Sequence, residues 1–307
     1  LLLTILTACS NRKRARVGEA TTAHTLAAGD IESVAIRWAE QLKGAASVVP
    51  ADQLYCGRGF QEARAVAKDD GARLLIVSAG LGLLTADQRI PAYSLTVSSG
   101  WPDSILPKLP KGSTAADWWT AMSQHSAFHT PLRDHITTGP TIIALPGEYL
   151  AMVAPDLLAL GLPELEGVRI ISRAAAETVH PRLRPLLIPY DERLEDARSP
   201  WRGTRADFAS RAARHFAETV LAANPDGDAE AHRQAVEREL AVWAQPTSQK
   251  RERKTDEEIL ALLRNHWDSV GGSGSRLLRL FRDDLMIACE QGRMAGLVGQ
   301  VRKERTS

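Results

Sequence analysis

The chain has few cysteines, few aromatic residues, almost no net charge and no long apolar run. Each shortage removes a class of function. Its three cysteines, Cys9, Cys56 and Cys289, are scattered, with no metal-ligand spacing and no disulfide framework. That usage points to a reducing cytoplasm. Lysine and arginine number 38 against 37 aspartate and glutamate, a net charge of +1. Nothing therefore draws the whole molecule to nucleic acid, and any such binding must rest on local patches. No apolar run approaches the roughly 18 residues of a membrane span, so no membrane partner is expected. There is no P-loop, no GxGxxG after a strand, no HExxH and no CxxC pair. ATP hydrolysis, dinucleotide chemistry and zinc catalysis lose weight, and neither cofactor nor metal is expected. No internal repeat and no low-complexity tract interrupts the chain.

What is present reads as α/β. Short apolar strands at Leu2–Thr7, Ser47–Val49, Leu74–Val77, Thr141–Leu145 and Val168–Ser172 alternate with helical stretches. Asp30 is the expected N-cap of a helix over Ile31–Leu42, and another helix is expected over Gly59–Lys68. This rhythm predicts a mainly parallel sheet with helices on both faces. Residues 101–133 form a Trp-rich, proline-bounded insertion in which Ser113 and Thr114 can cap a helix carrying Trp118, Trp119 and Met122. Amphipathic helices are expected over 203–223 and 229–244. The core domain is placed at 1–245 and a charged linker at 246–254. A small all-helical or winged-helix module follows at 255–307, opened by a capping box at Thr255. Within it, Ser275 is the expected cap of a helix running to Cys289, and Gly292 the break before a third.

Leu6-Thr7-Ala8-Cys9 has the form of a bacterial lipoprotein cleavage box. An opening strand that feeds a polar turn accounts for the same residues more simply, and the strand is the expectation.

The most informative stretch is 71–96. The strand at Leu74–Val77 empties into Ser78-Ala79-Gly80-Leu81-Gly82-Leu83-Leu84, and then into Ile90-Pro91-Ala92-Tyr93-Ser94-Leu95. Small residues such as Ser78 and Gly80 at a strand's carboxyl end let a backbone or planar ligand approach closely. Tyr93 is placed to face that opening. Three further motifs occur in order: Thr7-Ala8-Cys9-Ser10 with Arg12 and Lys13, then Leu54-Tyr55-Cys56-Gly57 leading to Phe60, then Gly147-Glu148-Tyr149. Together these resemble the YaaA family of peroxide-stress, DNA-binding proteins, over roughly residues 1–195. The resemblance implies an α/β core, comparable by fold-level analogy with uracil-DNA-glycosylase-like domains, and DNA as partner. It also implies a base pocket of Tyr55, Phe60, Ser78, Gly80, Tyr93 and Tyr149, although aromatic residues are as often core.

Three groups carry candidate chemistry. Cys9 lies beside Arg12, Lys13, Arg14 and Arg16, and cations lower a thiol's pKa and activate it. A small buried residue beside a solvated loop is the plainer alternative, and Arg12, Lys13 and Arg14 also suit phosphate contacts. Glu148 follows a buried strand and Pro146-Gly147, where a carboxylate can stabilise an oxocarbenium ion or activate water. It also suits the helix N-terminus as a simple charge. Asp191 is a weaker candidate of the same type. In the last module Arg276, Arg279 and Arg282 recur every three residues and share a helix face, as in a DNA-binding or a packing module. The leading expectation is a DNA glycosylase that excises a natural or modified base, in repair or phage defence. Two alternatives stay open: conversion of a nitrile-bearing 7-deazaguanine base through Cys9, and a non-enzymatic DNA-binding stress protein.

Overall fold

A computed structural model describes residues 2–46, 49–68, 72–136, 139–246 and 251–306. The chain divides into two compact units, Leu1–Pro246 and Thr247–Ser307. No helix among the described residues is long and apolar enough to cross a membrane.

The first unit begins with β1 (Thr4–Ala8), α1 (Ile31–Lys43), β2 (Val49–Pro50), α2 (Ala51–Leu54) and α3 (Arg58–Val66). It continues with β3 (Arg73–Ser78), β4 (Gly82–Thr85), β5 (Arg89–Ile90), α4 (Ala115–His125), β6 (Thr141–Ala144) and α5 (Gly147–Leu158). Then come α6 (Leu162–Glu166), β7 (Val168–Ile171), α7 (Phe208–His215) and α8 (Ala229–Leu240). Five strands make one sheet in the order β4-β3-β1-β6-β7. β3, β1, β6 and β7 run parallel, and β4 turns back antiparallel to β3. The fold is α/β, as the sequence rhythm requires.

Alternation along β6 distributes its side chains between two layers. Ile142 and Ala144 join a cluster with Phe208, Ala212 and Phe216, whereas Ile143 joins the larger cluster with Leu150 and Val153. Successive residues of a strand point to opposite faces, so both faces are covered. α3 and α7 pack together against β1, β6 and β7, and α4 packs between α1 and α5. Asp30 caps α1 by accepting from the Ser33 N–H at 2.9 Å. Thr114 caps α4 through a full capping box with Asp117.

The Trp-rich segment is integral to this core rather than an added insertion. Trp118 and Trp119 are buried, and their indoles donate to the Ala79 carbonyl at 2.8 Å and to Asp156 at 2.9 Å. The helix expected over 203–223 is instead composite, with a 3-10 turn at Arg205–Asp207, α7, and a π-helical turn at Phe216–Leu221. The strand expected at Ser47–Val49 is β2, of which Val49 alone was foreseen; 47 and 48 lie outside the described residues.

Both edges of the sheet are occupied by the chain itself. On β4, the Leu83 N–H donates to His129 Nδ1 at 3.1 Å and its carbonyl accepts from the Thr130 N–H at 2.9 Å. On β7, the Ile170 carbonyl accepts from the Ile188 N–H at 2.9 Å.

The second unit holds β8 (Glu252–Arg253), α9 (Asp256–His266), α10 (Gly274–Arg279), β9 (Ile287–Ala288) and α11 (Gln291–Thr306). Residues 247–250 of the expected linker lie outside the described residues, and Glu252 and Arg253 pair parallel with β9. Helices therefore share this unit with a two-residue strand pairing. The Thr255 capping box forms as expected. The helix expected to reach Cys289 ends earlier, because a π-helical turn at Leu280–Asp284 is followed by Met286 at φ 54° and then by β9. Gly292 lies inside α11 rather than breaking it. Ile259, Leu263, Leu277, Phe281 and Val301 are among the buried residues that form this unit's core.

Candidate active site

The sheet grows from β1 toward β3 on one side and toward β6 on the other, so strand order reverses between β1 and β6. At such a switch point the loops after neighbouring strands diverge and leave a crevice at their carboxyl ends. A cleft of about 270 Å³ lies there. Its walls come from Cys9 and Ser10 after β1, Gly57–Phe60 opening α3, Thr96 and Ser98, Pro146 and Tyr149 opening α5, and Asp207 and Ser210. Ser10 ties two walls together. Its hydroxyl oxygen accepts from the Gly57 N–H at 2.9 Å and the Arg12 N–H at 3.1 Å. A Cβ at position 57 would sit 2.5 Å from that oxygen, so only glycine lets the loops meet.

The thiol faces a phenol. Cys9 Sγ is 3.6 Å from the Tyr149 hydroxyl. Burial, followed by the neighbouring Cys9 charge, holds the Tyr149 phenol well above its ordinary pKa, so it stays protonated. Lys13 lies close by, with its ammonium 4.7 Å from the Tyr93 ring centre and 5.8 Å from that of Tyr55. It donates to the Ser10 carbonyl at 3.2 Å. Burial lowers its pKa, opposed by the charges of Cys9, Asp103 and Cys56.

Two carboxylates differ in setting. Glu148 is exposed at the rim, where its Oε2 accepts from the Ser98 hydroxyl at 2.6 Å. Asp207 is 3% exposed and lines the cleft. Its Oδ1 accepts from Arg211 Nε at 2.6 Å and from the Thr204 N–H at 2.8 Å. Its Oδ2 has no hydrogen-bond partner, and Arg58 Nη1 stands 3.6 Å away. Burial raises the Asp207 pKa, but the bonds from Arg211 and Thr204 outweigh it and leave the carboxyl below its ordinary value. Arg211 is held in turn by Glu195 at 2.6 Å and the Thr204 carbonyl at 2.9 Å.

Of the residues expected in a base pocket, Phe60 and Tyr149 line the cleft. Tyr55, Ser78, Gly80 and Tyr93 do not. Tyr55 and Tyr93 are fully buried, their hydroxyls 2.9 Å apart, and Ser78 Oγ is 2.5 Å from the Tyr93 hydroxyl. Small residues do admit a planar group at this strand end, but the group is the protein's own. A Cβ at Gly80 would stand 2.7 Å from the Tyr93 ring, and the Gly80 carbonyl accepts from the Trp38 indole at 2.6 Å. Asp191 also falls away from the cleft. It caps the 3-10 turn at Glu192–Glu195 and pairs with Arg193 at 2.9 Å. Among the cations, Arg12 and Arg14 are exposed, whereas Lys13 is packed over the two tyrosines. Arg276 and Arg279 are exposed, but Arg282 is half-buried and donates to the Cys289 carbonyl at 2.8 Å.

Asp207 escaped the sequence reading because its local motif, a capping box with Thr204, marks only a helix start and says nothing of the cleft. It comes to Cys9 from a segment remote in sequence, carried by the packing of α7 on α3. Among the described residues no group of three or more histidine, cysteine, aspartate and glutamate side chains is placed to hold a metal.

Residues 39–104 match the model of DUF6884, a family of unknown function. The matched stretch contributes α3's opening turn, Thr96 and Ser98 to the cleft. No curated protein and no solved structure matches the chain.

Proposed function

We propose that the amino-terminal unit is an enzyme acting on a nucleobase, a DNA glycosylase that hydrolyses the bond between base and sugar. The observation that carries this reading is the switch-point cleft itself, with two aromatic walls, Phe60 and Tyr149, and a buried polar floor. Its volume of about 270 Å³ is near the lower end of small-molecule sites, which begin at about 300 Å³. That suits one flipped-out nucleotide and excludes a duplex. Base faces stack on aromatic rings, and hydroxyls such as Ser10, Thr96 and Ser210 suit the base's polar edge.

In this mechanism water adds to the anomeric carbon as the C–N bond breaks. The base leaves with the bonding pair and takes a proton. Glu148, oriented by Ser98, stabilises the positive charge that develops on the sugar. Arg12 and Arg14 on the loop after β1, with Arg276 and Arg279 of the second unit, contact phosphates.

Cys9 supports a second reading, because its thiol lines the cleft while Glu148 sits at the rim. Addition of the thiol to a nitrile carbon on a 7-deazaguanine base gives a thioimidate, and water then displaces sulfur to leave the amide. Mass spectrometry of full-length protein incubated with normal and modified DNAs separates the readings. Free base with an alkali-labile site supports the glycosylase. An intact glycosidic bond with an altered base supports the thiol route. DNA retention without any product leaves a binding protein of the YaaA kind.

A further inference from the structure

A buried polar atom without a partner is rare in a folded protein, because leaving it unpaired forfeits its interaction with water. Asp207 Oδ2 has no hydrogen-bond partner and only the ion pair with Arg58 at 3.6 Å, and it belongs to a residue that lines the cleft. We propose that Asp207 selects the ligand: its idle Oδ2 accepts a hydrogen bond from an N–H on the edge of the bound base. The cleft then takes bases that turn a donor toward it and disfavours those that turn a ring nitrogen or carbonyl. This rests on the nucleobase reading above and names the class of base.

The division of labour within the carboxylate supports the assignment. Oδ1 is committed to Arg211 and Thr204, which fix the plane of the group and leave Oδ2 in one place. The group is charged at neutral pH, so it accepts and does not donate. A structural role as counter-ion to Arg58 explains Oδ2 less well. The 3.6 Å separation exceeds a hydrogen bond, and the Arg58 side chain is 63% exposed. The Asp207 end of the pair is 3% exposed, so a ligand that displaces the guanidinium must itself return a donor to Oδ2. Cation binding fits poorly too, since Asp207 is the sole acidic side chain lining the cleft among the described residues. Gly59 completes the geometry. Its Cβ position lies 3.4 Å from Asp207 Cα and from Ser210 Oγ, so the first turn of α3 sits directly against this floor.

The test is calorimetric titration of the full chain with inosine, guanosine and their N1-methyl derivatives. Each methylation removes one N–H. The unmethylated nucleosides should bind roughly 10- to 100-fold more tightly, the range for a hydrogen bond to a charged acceptor. Asp207→Asn separates hydrogen bonding from the bulk of the methyl group. Its retained oxygen can serve Arg211 and Thr204, so an amide N–H₂ replaces Oδ2 and the preference should collapse or invert toward cytidine. An unchanged ranking in Asp207→Asn overturns the proposal. Arg58→Ala removes only the exposed cover and should keep the ranking, also where Asp207→Asn fails to fold; loss of the ranking in Arg58→Ala overturns the proposal as well. If wild-type protein binds these nucleosides without ranking them, the Asp207 assignment fails alone. If it binds none of them, nor any deoxynucleoside, the nucleobase reading fails with it.

Discussion

At the amino end of β6 and β7 a cleft of about 420 Å³ is lined by Arg169 and His232, while the smaller cleft at the carboxyl end is lined by Cys9 and Asp207. Both contain a buried charge, and the difference lies in how completely that charge is used. Arg169 Nε donates to His232 Nδ1 at 2.9 Å, Nη1 to the carbonyls of Glu166 at 2.8 Å and Val168 at 2.9 Å, and Nη2 to the Gly227 carbonyl at 2.8 Å. His232 Nε2 meets the Asn224 carbonyl at 2.8 Å, which fixes the neutral tautomer. Arg169 and His232 are thus engaged with protein groups throughout, although Thr141 Oγ1 at the start of β6 is buried without a hydrogen-bond partner. Asp207 keeps one oxygen idle in the smaller cleft. The use made of the buried charge, and not volume, separates the two clefts.

The comparison breaks first if the amino end is dispensable. Arg169→Ala leaves His232 and several carbonyls unpaired in a buried setting, so it should destabilise the protein by at least about 3 kcal/mol. Urea unfolding measures this, and a midpoint close to wild type would contradict the structural role. At the carboxyl end the expected effect is on turnover. Glu148→Gln should lower base release by about 100-fold while shifting stability by no more than about 0.5 kcal/mol. Cys9→Ser should cost far less activity, and the reverse order would favour the thiol route.

pH sharpens the contrast further. Burial lowers the pKa of His232, and pushes that of His215 down to about 4. Both are neutral in the folded protein, whereas the unfolded chain takes up protons below about pH 6.5. Stability should therefore fall as pH drops from about 6.5 toward 4, by on the order of 2 kcal/mol. The Asp207 pKa is lowered instead, so its contribution is present above the ordinary carboxylate range and is lost only in stronger acid. Urea midpoints across pH for wild type and His215→Leu check this, with the variant expected to show the shallower decline. The smallest effect concerns the route of the ligand. If the base arrives on a strand gripped near the cleft, Arg12→Ala should reduce the slope of log affinity against log salt by roughly 0.9. An unchanged slope would remove Arg12 from the DNA path.

Local structure was largely legible in the sequence, and tertiary placement was not. β1, β3, β6 and β7 announced themselves as apolar runs, and Asp30, Thr114 and Thr255 as caps, because a cap's partners lie three residues away. The π-helical turn at Phe216–Leu221 left no trace in a periodicity argument, since a single added residue hardly changes the pattern. Tyr93 was read as ligand-facing because the glycine and serine at the end of β3 imply close approach, and Tyr55 because of the family resemblance. That inference about space was sound, but Trp38 and Tyr93 fill the space from within. Asp207 was missed for the opposite reason: its meaning depends on Arg211, Thr204 and α3 together.

The covered edge of β4 has a consequence for handling and for life in a crowded cell. An open strand edge is a template onto which a second chain can add. Here the outward N–H of Leu83 is stoppered by an imidazole nitrogen, which holds only while His129 is unprotonated. Burial lowers the His129 pKa, so the stopper stays in place through neutral pH. Acid removes it, since a protonated ring presents a donor to a donor. Acidification below the ordinary imidazole range should thus free the Leu83 N–H before the sheet itself unravels, and light scattering should rise before circular dichroism reports loss of structure.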